Sequence, residues 1–311
     1  MTAHPAPTSP ASRFALCCGY EIHYMDWWPE GHDGSDLQAL AQLPTVIAWH
    51  GLARTGRDMD ALAAELVRHG YRVVCPDTLG RGLSQWSRQP EAEYTLAFYA
   101  KLAAALAQAL QLEKMHWVGT SMGGAIGMVC AAGMAEPWWQ GRIVSLTLND
   151  NAPELAAAAL ERIKAYAGQP PAFDTQAELE AFFRTTYAPY GWLSDAEWRK
   201  LTETSTRRLP DGRITPHYDP AMVQQFTHHA DDYARWAEYD ALRMPVLLLR
   251  GVESDLVKQE TAQAMQQRGP GALGLLDWRE VPGCGHAPAL NVPAHYEAVL
   301  QHLRKAGVQP Q

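Results

Sequence analysis

The chain has 311 residues, 47% of them hydrophobic and 19% charged, and its 26 basic and 34 acidic side chains give a formal net charge of −8. A chain this long and this apolar buries a large core and is not disordered. Its acidity and the lack of a long Lys/Arg run argue against a nucleic-acid partner, and no apolar stretch reaches the roughly 18 residues of a membrane span.

Residues Met1–Ser12 (MTAHPAPTSPAS) combine three prolines with small polar residues and lack an apolar run, which reads as a disordered tail and not as a secretory signal. The five cysteines, Cys17, Cys18, Cys75, Cys130 and Cys284, show no CxxC spacing and read as reduced thiols of a cytoplasmic protein. Phe14–Cys18 and Glu21–Trp27 predict a strand hairpin, and Trp28–Gln42 a loop. Thr45–Trp49 is a β-branched apolar run, as expected of a strand covered on both faces. Met59, Leu62, Ala63, Leu66 and Val67 follow at helical spacing, with Gly70 placed to end that helix. Arg72–Cys75 predicts a second buried strand. Leu96 to Leu110 form an amphipathic helix, leading into the strand His116–Val118. A helix over Ser121–Met134 and a strand over Ile143–Leu148 complete this half. The alternation returns with Val246–Leu249 (strand), Lys258–Gln267 (helix), Leu275–Val281 (strand) and Pro293–Lys305 (helix). This order predicts an α/β fold with a mainly parallel central sheet flanked by helices. Residues 152–243 lack apolar β runs and read as a helical insertion between two strands.

One pentapeptide sits where a strand ends and a helix begins: Gly119–Thr120–Ser121–Met122–Gly123, followed by Gly124. By glycine frequency alone G-x-S-x-G turns up in roughly one chain in ten of this length, so its strand–turn–helix setting carries the weight. There a tight turn lifts the serine hydroxyl clear of the sheet, and an adjacent base can activate it.

In these residues, and in Pro76–Ser84 (PDTLGRGLS) with its D-x-x-G-x-G-x-S pattern, the chain resembles the α/β-hydrolase superfamily from about Arg13 to the last helix. The resemblance implies an α/β-hydrolase core over residues 13–151 and 244–311 with a helical cap over 152–243. It implies Ser121 as nucleophile and His286, in GCGHAPAL after the last strand, as base. It also implies an oxyanion hole from the backbone N–H groups of Leu52 and Met122. The acid is expected at Asp255, in an Asp-Leu-Val context after the strand Val246–Leu249. Glu253 and Asp150 are its rivals, and Asp77 reads as a cap for loop amides. Trp86 and Trp192 are candidates for the substrate pocket, while most aromatics of the insertion read as its own core.

The expected chemistry is hydrolysis of small to medium, largely apolar carboxylic esters through an acyl-enzyme. A serine at the elbow, where dehalogenases and epoxide hydrolases of the superfamily carry aspartate, argues against both. Ring-fission C–C hydrolases share the Ser-Asp-His set and the cap, but typically carry a tryptophan soon after the histidine, where this chain reads His286-Ala-Pro-Ala-Leu. Thioesterases, small-amide hydrolases, peracid-forming esterases of the G-x-S-M-G-G type and, as a non-enzyme, a ligand receptor on the same fold are the alternatives. No cofactor is expected, and no metal, because the His228–His229 pair stands without a second ligand cluster. A small-molecule ester is the expected partner, and the chain reads equally as a monomer or a dimer.

Overall fold

The computed structural model describes residues 10–307. Its strands are β1 (Ala11–Cys17), β2 (Tyr20–Trp27), β3 (Thr45–Trp49), β4 (Arg72–Pro76), β5 (Met115–Thr120), β6 (Ile143–Asn149), β7 (Thr206–Arg208), β8 (Ile214–Pro216), β9 (Val246–Gly251) and β10 (Leu276–Val281). The principal helices are α1 (Asp60–Arg68), α2 (Leu96–Ala109), α3 (Met122–Ala132), α4 (Ala157–Ala167), α5 (Gln176–Thr186), α6 (Asp195–Thr204), α7 (Gln259–Gln266) and α8 (Pro293–Lys305).

Eight strands form one sheet in the order β1-β2-β4-β3-β5-β6-β9-β10. The β1–β2 and β2–β4 pairs are antiparallel and the rest parallel. The hairpin turns through Cys18 and Gly19, both at positive φ, as a primed two-residue turn requires. Strand β1 begins at Ala11, inside the stretch expected to be tail, because Ala11 and Ser12 pair with Asp26 and Met25. The rest of that expectation, residues 1–9, lies outside the described residues.

The inner parallel strands β3, β4, β5, β6 and β9 are buried on both faces, which explains their largely apolar runs. Leu62 and Leu66 of α1 and Val299 and Leu303 of α8 pack on one face. Leu102 and Leu106 of α2, Ile126 and Val129 of α3 and Met265 of α7 pack on the other. Among the described residues no helix is long and apolar enough to cross a membrane.

The chain between β6 and β9 folds as helices and loops over the carboxyl ends of the central strands. Capping boxes start α5 (Thr175 with Glu178) and α6 (Ser194 with Glu197). The small β7–β8 hairpin departs from the all-helical expectation; its strands are three residues each, too short to leave a period in the sequence. Leu179, Phe183, Tyr187, Trp198 and Ile214 form a separate apolar cluster here. Asp219 accepts from the Tyr94 hydroxyl at 2.6 Å and Asp232 from the Leu96 N–H at 2.8 Å, fastening this segment to the start of α2.

Candidate active site

Ser121 stands between β5 and α3 with φ 52 and ψ −118, a conformation that L-residues adopt at a cost. Its neighbours make the turn possible. A Cβ on Gly119 would lie 2.2 Å from the Gly123 carbonyl oxygen, and one on Gly123 would lie 2.2 Å from that of Trp49. Only glycine fits at either position. The turn is held by Ser121 N–H donating to Asn149 O at 2.9 Å and by Gly124 and Ala125 N–H donating to Ser121 O.

His286 follows β10 and lines the same chamber as Ser121, a cavity of about 40 Å³. Its loop is braced from the inserted segment: Gly285 N–H donates to Pro189 O at 2.7 Å and Ala289 N–H to Tyr190 O at 3.1 Å. Asn149 Nδ2 donates to Pro288 O at 2.8 Å. The imidazole Nδ1 lies 2.7 Å from Asp150 Oδ2. With Nδ1–H donating there, Nε2 is the nitrogen free to take a proton.

The structure corrects the expected acid. Asp255, 49% exposed at its side chain, is bound to Arg162 Nη2 at 2.7 Å. Asp150 is fully buried at the end of β6 and, besides His286, accepts from Gly251 N–H at 3.0 Å and Ser254 Oγ at 2.6 Å. Sheet order explains the difference. Strand β6 lies between β5, which leads into Ser121, and β9, so its carboxyl end is interposed where the histidine arrives. Glu253 is exposed.

Leu52 follows β3, the neighbour of β5, and Met122 opens α3. Among the described residues neither N–H has a hydrogen-bond partner. Two buried side chains that sequence reasoning passed over hold these loops. His50 donates from Nδ1 to Gly51 O at 2.6 Å and accepts at Nε2 from Thr78 N–H at 3.0 Å. Its burial pushes its pKa down to about 4 despite the nearby Asp77 carboxylate, so the ring is neutral. Arg81, fully buried, donates to Leu52 O at 2.9 Å and reaches Met122 Sδ at 3.6 Å. It also bonds the Tyr99 hydroxyl at 2.8 Å.

Asp77 accepts from the Gly56 and Leu83 amides, in line with its reading as a loop cap. Burial opposes its ionisation, but His23, hydrogen-bonded to it, holds its pKa below the usual carboxylate range.

Neither tryptophan proposed for the pocket lines the chamber. Trp86 is 39% exposed with Arg207 over its ring, and Trp192 is 72% exposed. Both sit in loops outside the helices and strands, where no packed element holds the indole inward. The aromatic wall is instead Tyr166, Tyr187 and Tyr190. Tyr166 lies within α4 beside Ile163, and only the docking of that helix reveals it. A second cavity of about 120 Å³ shares Thr120, Tyr190 and Ala287 with the first and runs between α6 and the start of α1. Among the described residues no cluster of three or more His, Cys, Asp or Glu could hold a metal ion.

A family model described as alpha/beta hydrolase fold matches residues 44–291. The 3-hydroxybutyrate-oligomer hydrolase of Cupriavidus necator is 38% identical over 270 residues, spanning 84% of this chain and 88% of that protein. The proline iminopeptidase of Lactobacillus helveticus is 25% identical over 279 residues, spanning 84% and 90%. An alpha/beta hydrolase from Novosphingobium aromaticivorans DSM 12444 matches in structure with a TM-score of 0.78 at 29% identity, over 96% of this chain and 99% of that one.

Proposed function

Because the chain belongs to the α/β-hydrolase family, we propose that it is a serine hydrolase cleaving carboxylic esters of the hydroxy-acid oligomer type. One observation carries the mechanism: His286, hydrogen-bonded to the buried Asp150, opens onto the chamber that holds Ser121 at its strained turn. Similarity to the 3-hydroxybutyrate-oligomer hydrolase supports the substrate class.

In this reading Ser121 Oγ bonds to the ester carbonyl carbon as its proton passes to His286 Nε2. The carbonyl oxygen gains charge facing the Leu52 and Met122 N–H groups, fixed donors that need no reorganisation. The alcohol leaves with the proton from His286. Water then attacks the acyl-serine, gives its proton to the same nitrogen, and the acid departs. Asp150 keeps the imidazole tautomer and stabilises the imidazolium. The steps close with side chains and water. The cavity beyond Thr120 offers room for a second unit of the substrate.

A fluorophosphonate probe is expected to label the wild-type protein and not Ser121→Ala. Turnover of p-nitrophenyl butyrate and of the 3-hydroxybutyrate dimer is expected to fall by about 10⁴ or more in that variant. Labelling or near-wild-type turnover by Ser121→Ala would overturn the proposal. Preferred cleavage of a prolyl anilide over both esters would assign the chain to amide chemistry instead.

A further inference from the structure

Beside Ser121 stands a cation that the mechanism does not use. Arg54, two residues after Leu52, is 2% exposed and lines the same chamber as Ser121 and His286. A Cβ placed on Gly51 would lie 3.6 Å from Ser121 Cβ and 3.9 Å from Arg54 Cγ, so the nucleophile and the stem of the arginine flank one point. The guanidinium is fixed on two sides. Asp58 takes Nε and Nη2, each at 2.7 Å, and Ser205 takes a second bond from Nη2 at 2.9 Å. The Tyr187 ring lies 4.6 Å from its carbon and the Phe183 ring 5.4 Å.

That leaves Nη1, which is buried and has no hydrogen-bond partner among the described residues. The Tyr187 hydroxyl interacts with the Arg54 guanidinium, whose charge and hydrogen bonding oppose the rise that burial imposes on its pKa, but Nη1 itself has no partner in hydrogen-bond geometry. An arginine stays charged in any protein setting, and a buried charged donor without an acceptor is costly. The acceptor that best relieves it is an anionic oxygen, which makes the shorter, stronger, charge-assisted bond. The facing groups do not supply one. The Asp58 and Asp255 carboxylates are engaged by Arg54 and Arg162, and Asp150 by His286.

We infer that Arg54 Nη1 binds a carboxylate of the substrate, making Arg54 a specificity-determining residue for esters whose unit next to the scissile bond carries a free acid group. The inference rests on the ester-hydrolase reading and sharpens it. A linear hydroxy-acid oligomer has one such end, and the alcohol released from that end is the hydroxy acid itself. A neutral alkyl ester has nothing to offer Nη1.

The experiment compares kcat/KM for the linear 3-hydroxybutyrate dimer as free acid with that for its methyl ester. The wild-type protein is expected to prefer the free acid by about tenfold or more. Arg54→Gln, and Arg54→Lys as the variant that keeps the charge without the fork, are expected to bring the ratio towards one. Free 3-hydroxybutyrate is expected to inhibit p-nitrophenyl butyrate hydrolysis competitively, and its amide not to; this arm needs no variant to fold. Equal wild-type rates on acid and methyl ester would overturn the anchor while leaving the ester hydrolase intact. A ratio that survives in Arg54→Gln but collapses in Arg162→Gln would move the anchor to the exposed rim and overturn the inference. Failure to cleave either ester would count against the ester reading itself.

Discussion

Asp150 and Asp255 divide the site at the level of single side chains. Asp150 is fully buried and bonded to His286, whereas Asp255 is half exposed and spent on Arg162. Asp150→Asn is expected to lower kcat by about 10³- to 10⁴-fold, because an amide in its place favours the wrong imidazole tautomer. Asp255→Asn is expected to stay within about twofold, since an exposed ion pair contributes little. Steady-state kinetics on one chromogenic ester checks both. The positions of Ser121 and His286 were legible because each sits in a local pattern: a glycine-flanked turn for one, a glycine-rich loop after a late strand for the other. The acid's position was not. Asp255 carries the matching neighbours in the chain, but contact with the histidine is decided by which strand ends beside it. That is a property of sheet order and not of any short window. Arg54, Arg81 and Tyr166 were illegible for the same reason, as each is defined by what packs against it.

The elements around the site are loops steered by buried side chains. Arg81 joins the loop after β4 to the loop after β3 and to the first residue of α3 through Leu52 O and Met122 Sδ. It acts on the reaction only through those loops. Arg81→Met leaves the Leu52 and Leu79 carbonyls without their donor. It is expected to cost about 1–3 kcal/mol of stability, by denaturant unfolding. It is also expected to lower kcat at least tenfold with little change in KM, a split that loss of stability alone would not produce. At this scale the sequence was informative where the burial pattern was regular: the uniformly buried run Thr45–Trp49 matches β3 end to end, and the one-sided Pro293–Lys305 matches α8. It was least informative in the insertion and near the end of the stretch Trp28–Gln42 read as loop, where the five-residue helix Leu37–Ala41 rests on an Asp36 cap.

Across the whole molecule, buried histidines make the fold sensitive to acid. Burial lowers the pKa of His50 and of His302 to about 4, and that of His217 and His295 in the same direction. Between an unfolded value of about 6.5 and these folded values the unfolded chain binds more protons, so stability is full above that window and falls as pH drops through it. His50 and His302 would each contribute about 3 kcal/mol across the window. Melting temperatures are expected to fall steeply from pH 6.5 to 4, and His302→Leu to shallow that slope, because it removes one of the groups that take up a proton on unfolding. Tryptophan use belongs to this scale too. Trp49 and Trp117 stack at 5.2 Å and Trp117 meets Trp139 edge-on, all three fully buried. Trp117 Nε1 donates to the Gly123 carbonyl, so this aromatic stack underlies the turn that carries Ser121.

The two main-chain bonds from residues 189 and 190 to the histidine loop have a mechanical result. While those bonds hold, the stretch around Pro189 and Tyr190 moves only together with the His286 loop. A chain trimmed of residues 152–243 is therefore expected to lose the footing of the His286 loop together with the segment that covers it.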